Sequence, residues 1–111
     1  MKYIIYQLKD LAKSKYGLRS WNIAKENNFS IQDYEKVYTG SIDVENNCND
    51  NVGSVLENLF AMFNISHPED FNGHSLSMSD VLALELNKDN YAYYYCDTVG
   101  WKSVTEIINK G

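Results

Sequence analysis

Apolar and polar positions alternate with a period of two over residues 2–8. Tyr3, Ile5 and Gln7 share one side, and Ile4, Tyr6 and Leu8 share the other. This predicts a strand, and the wholly apolar second set is assigned to the core. A lysine-rich connection follows and ends at Gly17. From Leu18 the spacing lengthens to three and four through Trp21, Ile23 and Ala24. That predicts a helix over 18–28, stopped by Asn27-Asn28. Residues 34–44 are rich in aromatic and β-branched side chains and read as a second strand, with Gly40 marking a bulge or bend. The stretch from Glu45 to Asn51 has no hydrophobe but Cys48 and reads as an acidic, Asn-rich loop. A second helix is expected over 54–64, with Ser54 as its cap and Glu57 closing a capping box. Val55, Leu56, Leu59, Phe60, Met62 and Phe63 form its apolar stripe, which belongs in the core. Pro68 then forces the chain out of the helix.

The C-terminal third is the densest. Asp80 to Leu86 reads as a strand with Leu82, Leu84 and Leu86 on one face. Asn87-Lys88-Asp89-Asn90 supplies a turn, and Tyr91 to Asp97 returns with Tyr91, Tyr93 and Tyr95 on one side. Residues 98–104 turn and pair once more, and 105–110 form a short last helix. The order β-α-β-α-β-β gives an α+β fold. Its expected form is a mostly antiparallel sheet of four to five strands with two main helices packed on one face. At 111 residues the chain is one domain, 1–111.

Charge changes the picture more than composition does. The net charge is −5. Residues 1–25 carry six cations against Asp10 alone, net +5, whereas 26–111 carry four cations against fourteen carboxylates, net −10. An acidic surface of this kind argues against direct nucleic-acid binding and suits a basic protein partner. Glu35, Asp43, Glu45, Asp50, Glu69 and Asp70 are the candidate partner-binding residues. The tyrosine row at 91, 93 and 95 could stack bases, but a stacking platform needs cations around it, and Asp89 and Asp97 offset Lys88 and Lys102. No apolar run reaches the roughly 20 residues of a membrane span, and no secretory leader is recognisable, so a cytoplasmic protein is expected. Cys48 and Cys96 are then expected to be reduced. With His67 and His74 they show no metal-ligand spacing, so neither metal nor cofactor is expected.

Two segments stand out: His67 to Val81, which contains Pro68-Glu69-Asp70-Phe71-Asn72-Gly73-His74-Ser75-Leu76-Ser77-Met78-Ser79-Asp80-Val81, and Tyr94-Tyr95-Cys96-Asp97-Thr98-Val99-Gly100-Trp101. Together they resemble the YodL-like domain, with its P-x-D-F-x-G-H-S-L-S-x-S-D-V segment and its Y-x-C/V-D-S-x-G-F segment. Tyr6-Gln7-Leu8-Lys9 and Tyr34 to Tyr38 extend the likeness toward the front of the chain. Thr98 and Trp101 depart mildly from the usual Ser and Phe, and the loop at 45–51 is longer and more acidic than usual. The resemblance implies a setting in conjugative elements, phages and plasmids of Firmicutes. It implies no reaction.

Gly73, His74, Ser75, Ser77 and Asp80 form the candidate structural motif, a polar latch feeding the hairpin. An active site at His74, Ser75 and Asp80 is the enzymatic alternative, but no nucleophile elbow or third member accompanies them, so the protein is not expected to be an enzyme. The favoured reading is a mobile-element protein that blocks a host defence nuclease by occluding a basic surface, of anti-CRISPR or anti-restriction type. An accessory or adaptor module of a conjugative element with no defence target is the alternative.

Overall fold

A computed structural model describes residues 1–42, 52–65, 69–71, 73 and 76–110. Among them, five strands form one antiparallel sheet: β1 (Lys2–Leu8), β2 (Tyr34–Ser41), β3 (Val81–Asn87), β4 (Asn90–Cys96) and β5 (Trp101–Ser103). Their order across the sheet is β2-β1-β3-β4-β5, which makes β2 and β5 the edges. The helices are α1 (Trp21–Glu26), α2 (Val52–Ile65) and α3 (Thr105–Lys110).

The α+β class and the antiparallel sheet are as the sequence predicts. The helices, however, do not share a face. Val55, Leu56, Leu59 and Phe63 of α2 pack on Tyr3, Ile5, Leu82 and Leu84. Trp21 and Ala24 of α1 pack on the opposite side with Leu8, Val81 and Tyr95, and Ile108 of α3 joins them. Strand alternation puts these two sets on opposite faces. The sheet is therefore the middle of three layers. This corrects the reading of β1, in which only Ile4, Tyr6 and Leu8 were assigned to the core. Ile5 is fully buried, and Gln7 is 3% exposed. The polar Gln7 makes its face look wet in sequence, and a tertiary hydrogen bond makes it dry.

Local boundaries follow from identifiable contacts. α1 begins at Trp21 rather than Leu18, because Leu18 has φ 60° and gives its N–H to Ser79 Oγ at 3.0 Å. Its end is where the Asn pair predicts: Asn28 takes φ 58° and the Phe29 N–H reaches the Ala24 carbonyl at 3.0 Å, a Schellman stop with Asn in the usual glycine place. In β2 the register slips opposite Ile5 and Tyr6, leaving Val37 as the extra residue, so the bulge lies at Val37 and not at Gly40. β2 ends at Ser41, and residues 43–51 lie outside the described residues, together with their predicted loop. α2 starts at Val52, two residues before the predicted cap. Ser54 is thus inside the first turn, and Glu57 accepts instead from the Trp101 indole N–H at 3.1 Å. Pro68 lies outside the described residues. β3 and β4 form the predicted hairpin, but their register slips between Glu85 and Asn87, and Leu86 is 49% exposed instead of joining Leu82 and Leu84. β5 and α3 occur as expected; the start of α3 is pinned to β4 by the Tyr93 N–H, which donates to Thr105 Oγ1 at 2.9 Å.

Candidate functional site

The two distinctive segments meet at one place. The Ser79 N–H donates to the Cys96 carbonyl at 3.0 Å, and the Cys96 N–H returns to the Asp80 carbonyl at 2.8 Å. Ser79 is fully buried with φ 79°, a left-handed conformation that costs a side-chain-bearing residue about 1 kcal/mol. Three long-range bonds hold it there: the Cys96 carbonyl, the Leu18 N–H on its hydroxyl, and the Tyr34 hydroxyl, which donates to its carbonyl. Asp80 is 1% exposed. Its Oδ2 accepts from the Ser77 N–H at 3.0 Å and from Gln7 Nε2 at 3.2 Å. Gly73 belongs to the same junction, because a Cβ there would lie 2.5 Å from Gln7 Oε1 and 2.8 Å from the Phe71 ring.

The downstream segment has the same logic. Asp97 Oδ1 accepts from the Thr98 N–H at 2.7 Å and from the Trp21 N–H at 3.0 Å. It therefore caps the first turn of α1 from 76 residues away, while Ser20 makes no side-chain cap bond. Gly100 has φ 72°, which glycine adopts freely, and its carbonyl accepts from the Asp97 N–H at 3.1 Å to close that turn. Tyr95 is fully buried, and its hydroxyl donates to the Arg19 carbonyl at 2.7 Å. Among the described residues, Ser79, Asp80 and Asp97 thus bond to one another's segments, to the Gln7 and Tyr34 side chains and to the Leu18 and Trp21 N–H groups. Gly73, Ser77 and Asp80 are thus brought together as a latch. His74 and Ser75 lie outside the described residues. Gln7, Tyr34 and Leu18 complete the latch and escaped sequence reasoning. Gln7 did leave a signal, as the one polar residue on an otherwise apolar strand side.

The acidic residues divide similarly. Asp43, Glu45 and Asp50 lie outside the described residues. Glu35 is exposed on edge strand β2, paired with Gln7, and Tyr38 pairs with Ile5, so the two side chains share the α2 face. The Tyr38 hydroxyl donates to Asp70 Oδ1 at 3.1 Å, which anchors exposed Asp70 and its neighbour Glu69 against the same strand. The structure thus brings Glu35, Glu69 and Asp70 to the β2 edge from segments more than 30 residues apart. Of the tyrosine row, Tyr95 is core, while Tyr91 and Tyr93 are half-buried, with the Tyr93 ring 6.3 Å from Tyr6. A groove of about 560 Å³ lies between the first turn of α2 and the Tyr94 and Trp101 side chains.

No group of three His, Cys, Asp or Glu side chains that could hold a metal occurs among the described residues, and Cys48, His67 and His74 fall outside them. Among the described residues no helix is long and apolar enough to cross a membrane. Cys96 is a free, buried thiol. Burial, then the charges of Asp80, Glu57 and Asp97, push it up from 9.0 to about 12. Burial also pushes the Tyr3 phenol up to about 12, aided by Tyr38 and Asp70, and raises Tyr34 and Tyr95 strongly. An acid that binds its proton more tightly when folded stabilises the fold below its unfolded pKa and loses that contribution as pH rises. Stability is therefore expected to be flat to about pH 9 and to fall steeply between about pH 9 and 12. Melting curves across that range check it, and a flat profile to pH 12 would contradict the burial of these groups. At pH 8, below that window, Cys96 should resist alkylation until the protein unfolds.

No curated protein and no solved structure matches the chain. A family model does match, and it spans residues 2–107, covering both distinctive segments, all five strands and the latch. The chain belongs to the YodL-like domain family.

Proposed function

We propose that this domain is a non-enzymatic interaction module that binds a basic protein surface through the acidic border of β2. The observation that carries the reading is the convergence of exposed Glu35, Glu69 and Asp70 on that border, with Asp70 fixed by Tyr38. β2 is also an edge strand, whose outer backbone groups offer a partner a ladder to extend. The latch supports the same view, since the Asp80 carboxylate and the Ser79 hydroxyl are buried and bonded within the fold.

The finer reading names the partner as a host defence nuclease, with the carboxylates occupying a groove built for phosphates. It draws on the mobile-element setting implied by the family resemblance. Acidic side chains would speed encounter and set specificity. The test is plasmid protection in bacteria carrying different CRISPR and restriction systems. The wild-type chain should protect against one system. The triple variant Glu35→Lys, Glu69→Lys, Asp70→Lys should lose at least about tenfold of that protection, because each reversal places like charges together. Full protection by the triple variant would sink the acidic-edge mechanism. No protection by the wild type across the panel would favour an accessory module of a conjugative element.

A further inference from the structure

Three of the six cations in residues 1–25 lie together. Lys9, Lys13 and Lys15 line a single groove of about 480 Å³, together with Asn27, Asn28 and Gln32. All three lysines are exposed. Among the described residues, none of the three ammonium groups has a carboxylate within ion-pair distance. Two carboxylates, Asp10 and Asp33, also line the groove and leave it a net charge of +1, three cations against two anions; both are held in place by local hydrogen bonds. Asp10 Oδ1 accepts from the Lys13 N–H at 3.1 Å and so caps the turn that the Ser14 N–H closes on the Asp10 carbonyl. Asp33 Oδ2 accepts from the Tyr16 hydroxyl at 2.7 Å, while the Asp33 carbonyl accepts from the Lys9 N–H at 2.9 Å.

These contacts give the groove a defined shape. The Lys9–Asp33 backbone bond joins the end of β1 to the segment before β2. The Asp10 cap sets the turn that carries Lys13, and the Asn28 left-handed turn sets the far wall. The outcome is a concave space lined by three exposed lysines, with Asp10 and Asp33 between them, and bordered by side-chain amides, which can donate as well. Anions with several oxygens fit that donor set. The carboxylates elsewhere on the chain weaken this attraction little at physiological salt, where the screening length is about 8 Å and the molecule measures 39 × 31 × 25 Å.

We propose that this groove binds the phosphate groups of a phosphate-bearing ligand, with Lys13 and Lys15 as the principal contacts. The phosphates would come either from a free polyphosphate ester or from the backbone of a single strand. The site is separate in charge and in residues from the acidic β2 border, although Lys9 also borders a neighbouring groove that holds Glu35. The test therefore reverses Lys13 and Lys15 and leaves Lys9 in place.

Amide spectra of the full chain, titrated with inorganic tripolyphosphate and separately with the oligonucleotide dT8, give the readout. Saturable shifts confined to residues 9–16 and 27–33 are expected. Binding should weaken at least about tenfold in Lys13→Glu, Lys15→Glu, whose melting temperature should match the wild type because both side chains are exposed. Tripolyphosphate binding alone assigns the site to free phosphate esters, and tighter dT8 binding assigns it to a strand; either supports the proposal. No saturable shift with either probe, or equal binding by the double variant, overturns it. The acidic triple variant should bind both probes at least as tightly as the wild type, because Glu35→Lys adds a cation beside Lys9, so failure here and failure of the acidic-edge reading are told apart.

Discussion

Phe63→Ala is expected to cost about 4 kcal/mol, the typical loss for a buried phenylalanine cut back to its Cβ. Phe63 is fully buried at the centre of the α2 face. Its ring centroid lies 4.8 Å from Phe71, 5.4 Å from Tyr38 and 5.9 Å from Tyr3, all edge-to-face. One ring thus joins α2 to β1, to β2 and to the segment before the latch. Truncation removes transfer energy, three aromatic contacts and the packing around the hole they leave. Against a total stability of roughly 5–15 kcal/mol, the melting temperature should drop by roughly 15 °C. Phe63→Leu, which keeps most of the volume, should cost about 1–2 kcal/mol. Urea unfolding of both variants is the measurement. A loss below about 1 kcal/mol for alanine would mean that α2 does not sit on this face.

Asp80→Ala should be nearly as damaging, by about 3 kcal/mol, for a different reason. The methyl group leaves the Ser77 N–H and the Gln7 amide without this acceptor in a dry place, and stranded donors cost more than a typical bond contributes. Asp80→Asn keeps one acceptor oxygen and should lose less. The decisive arm is Gln7→Leu in the Asp80→Ala background. Removing the stranded amide should recover part of the loss, so the double variant should be more stable than the two single losses added together. Strict additivity would show that the two side chains do not act as a pair. An Asp80 variant that melts as the wild type yet loses biological activity would move Asp80 from latch to active site.

Both experiments bear on what could be read from residues alone. The hairpin, the final helix and the asparagine stop of α1 were legible because turn chemistry and periodicity are local. The latch was only half legible. Ser77, Ser79 and Asp80 advertise a tight connection, but nothing in the chain says that Gln7, Tyr34 and Leu18 are their partners. The same holds for Asp97, which caps a helix 76 residues away in place of Ser20. The β2 bulge moved from Gly40 to Val37 because the pairing with β1, not the local glycine, sets the register.

Taken alone, the sequence determined the α+β class, the element order, the two family segments and the charge split between residues 1–25 and the rest. These follow from side-chain periodicity, turn propensity and counting, all of which act over a few residues. Only the tertiary structure decided that the sheet is covered on both faces, that Gln7 is buried, and that three carboxylates gather on one edge and three lysines in one groove. Burial and charge convergence depend on which distant segments pack together, and a polar side chain looks solvated until its partner is in place.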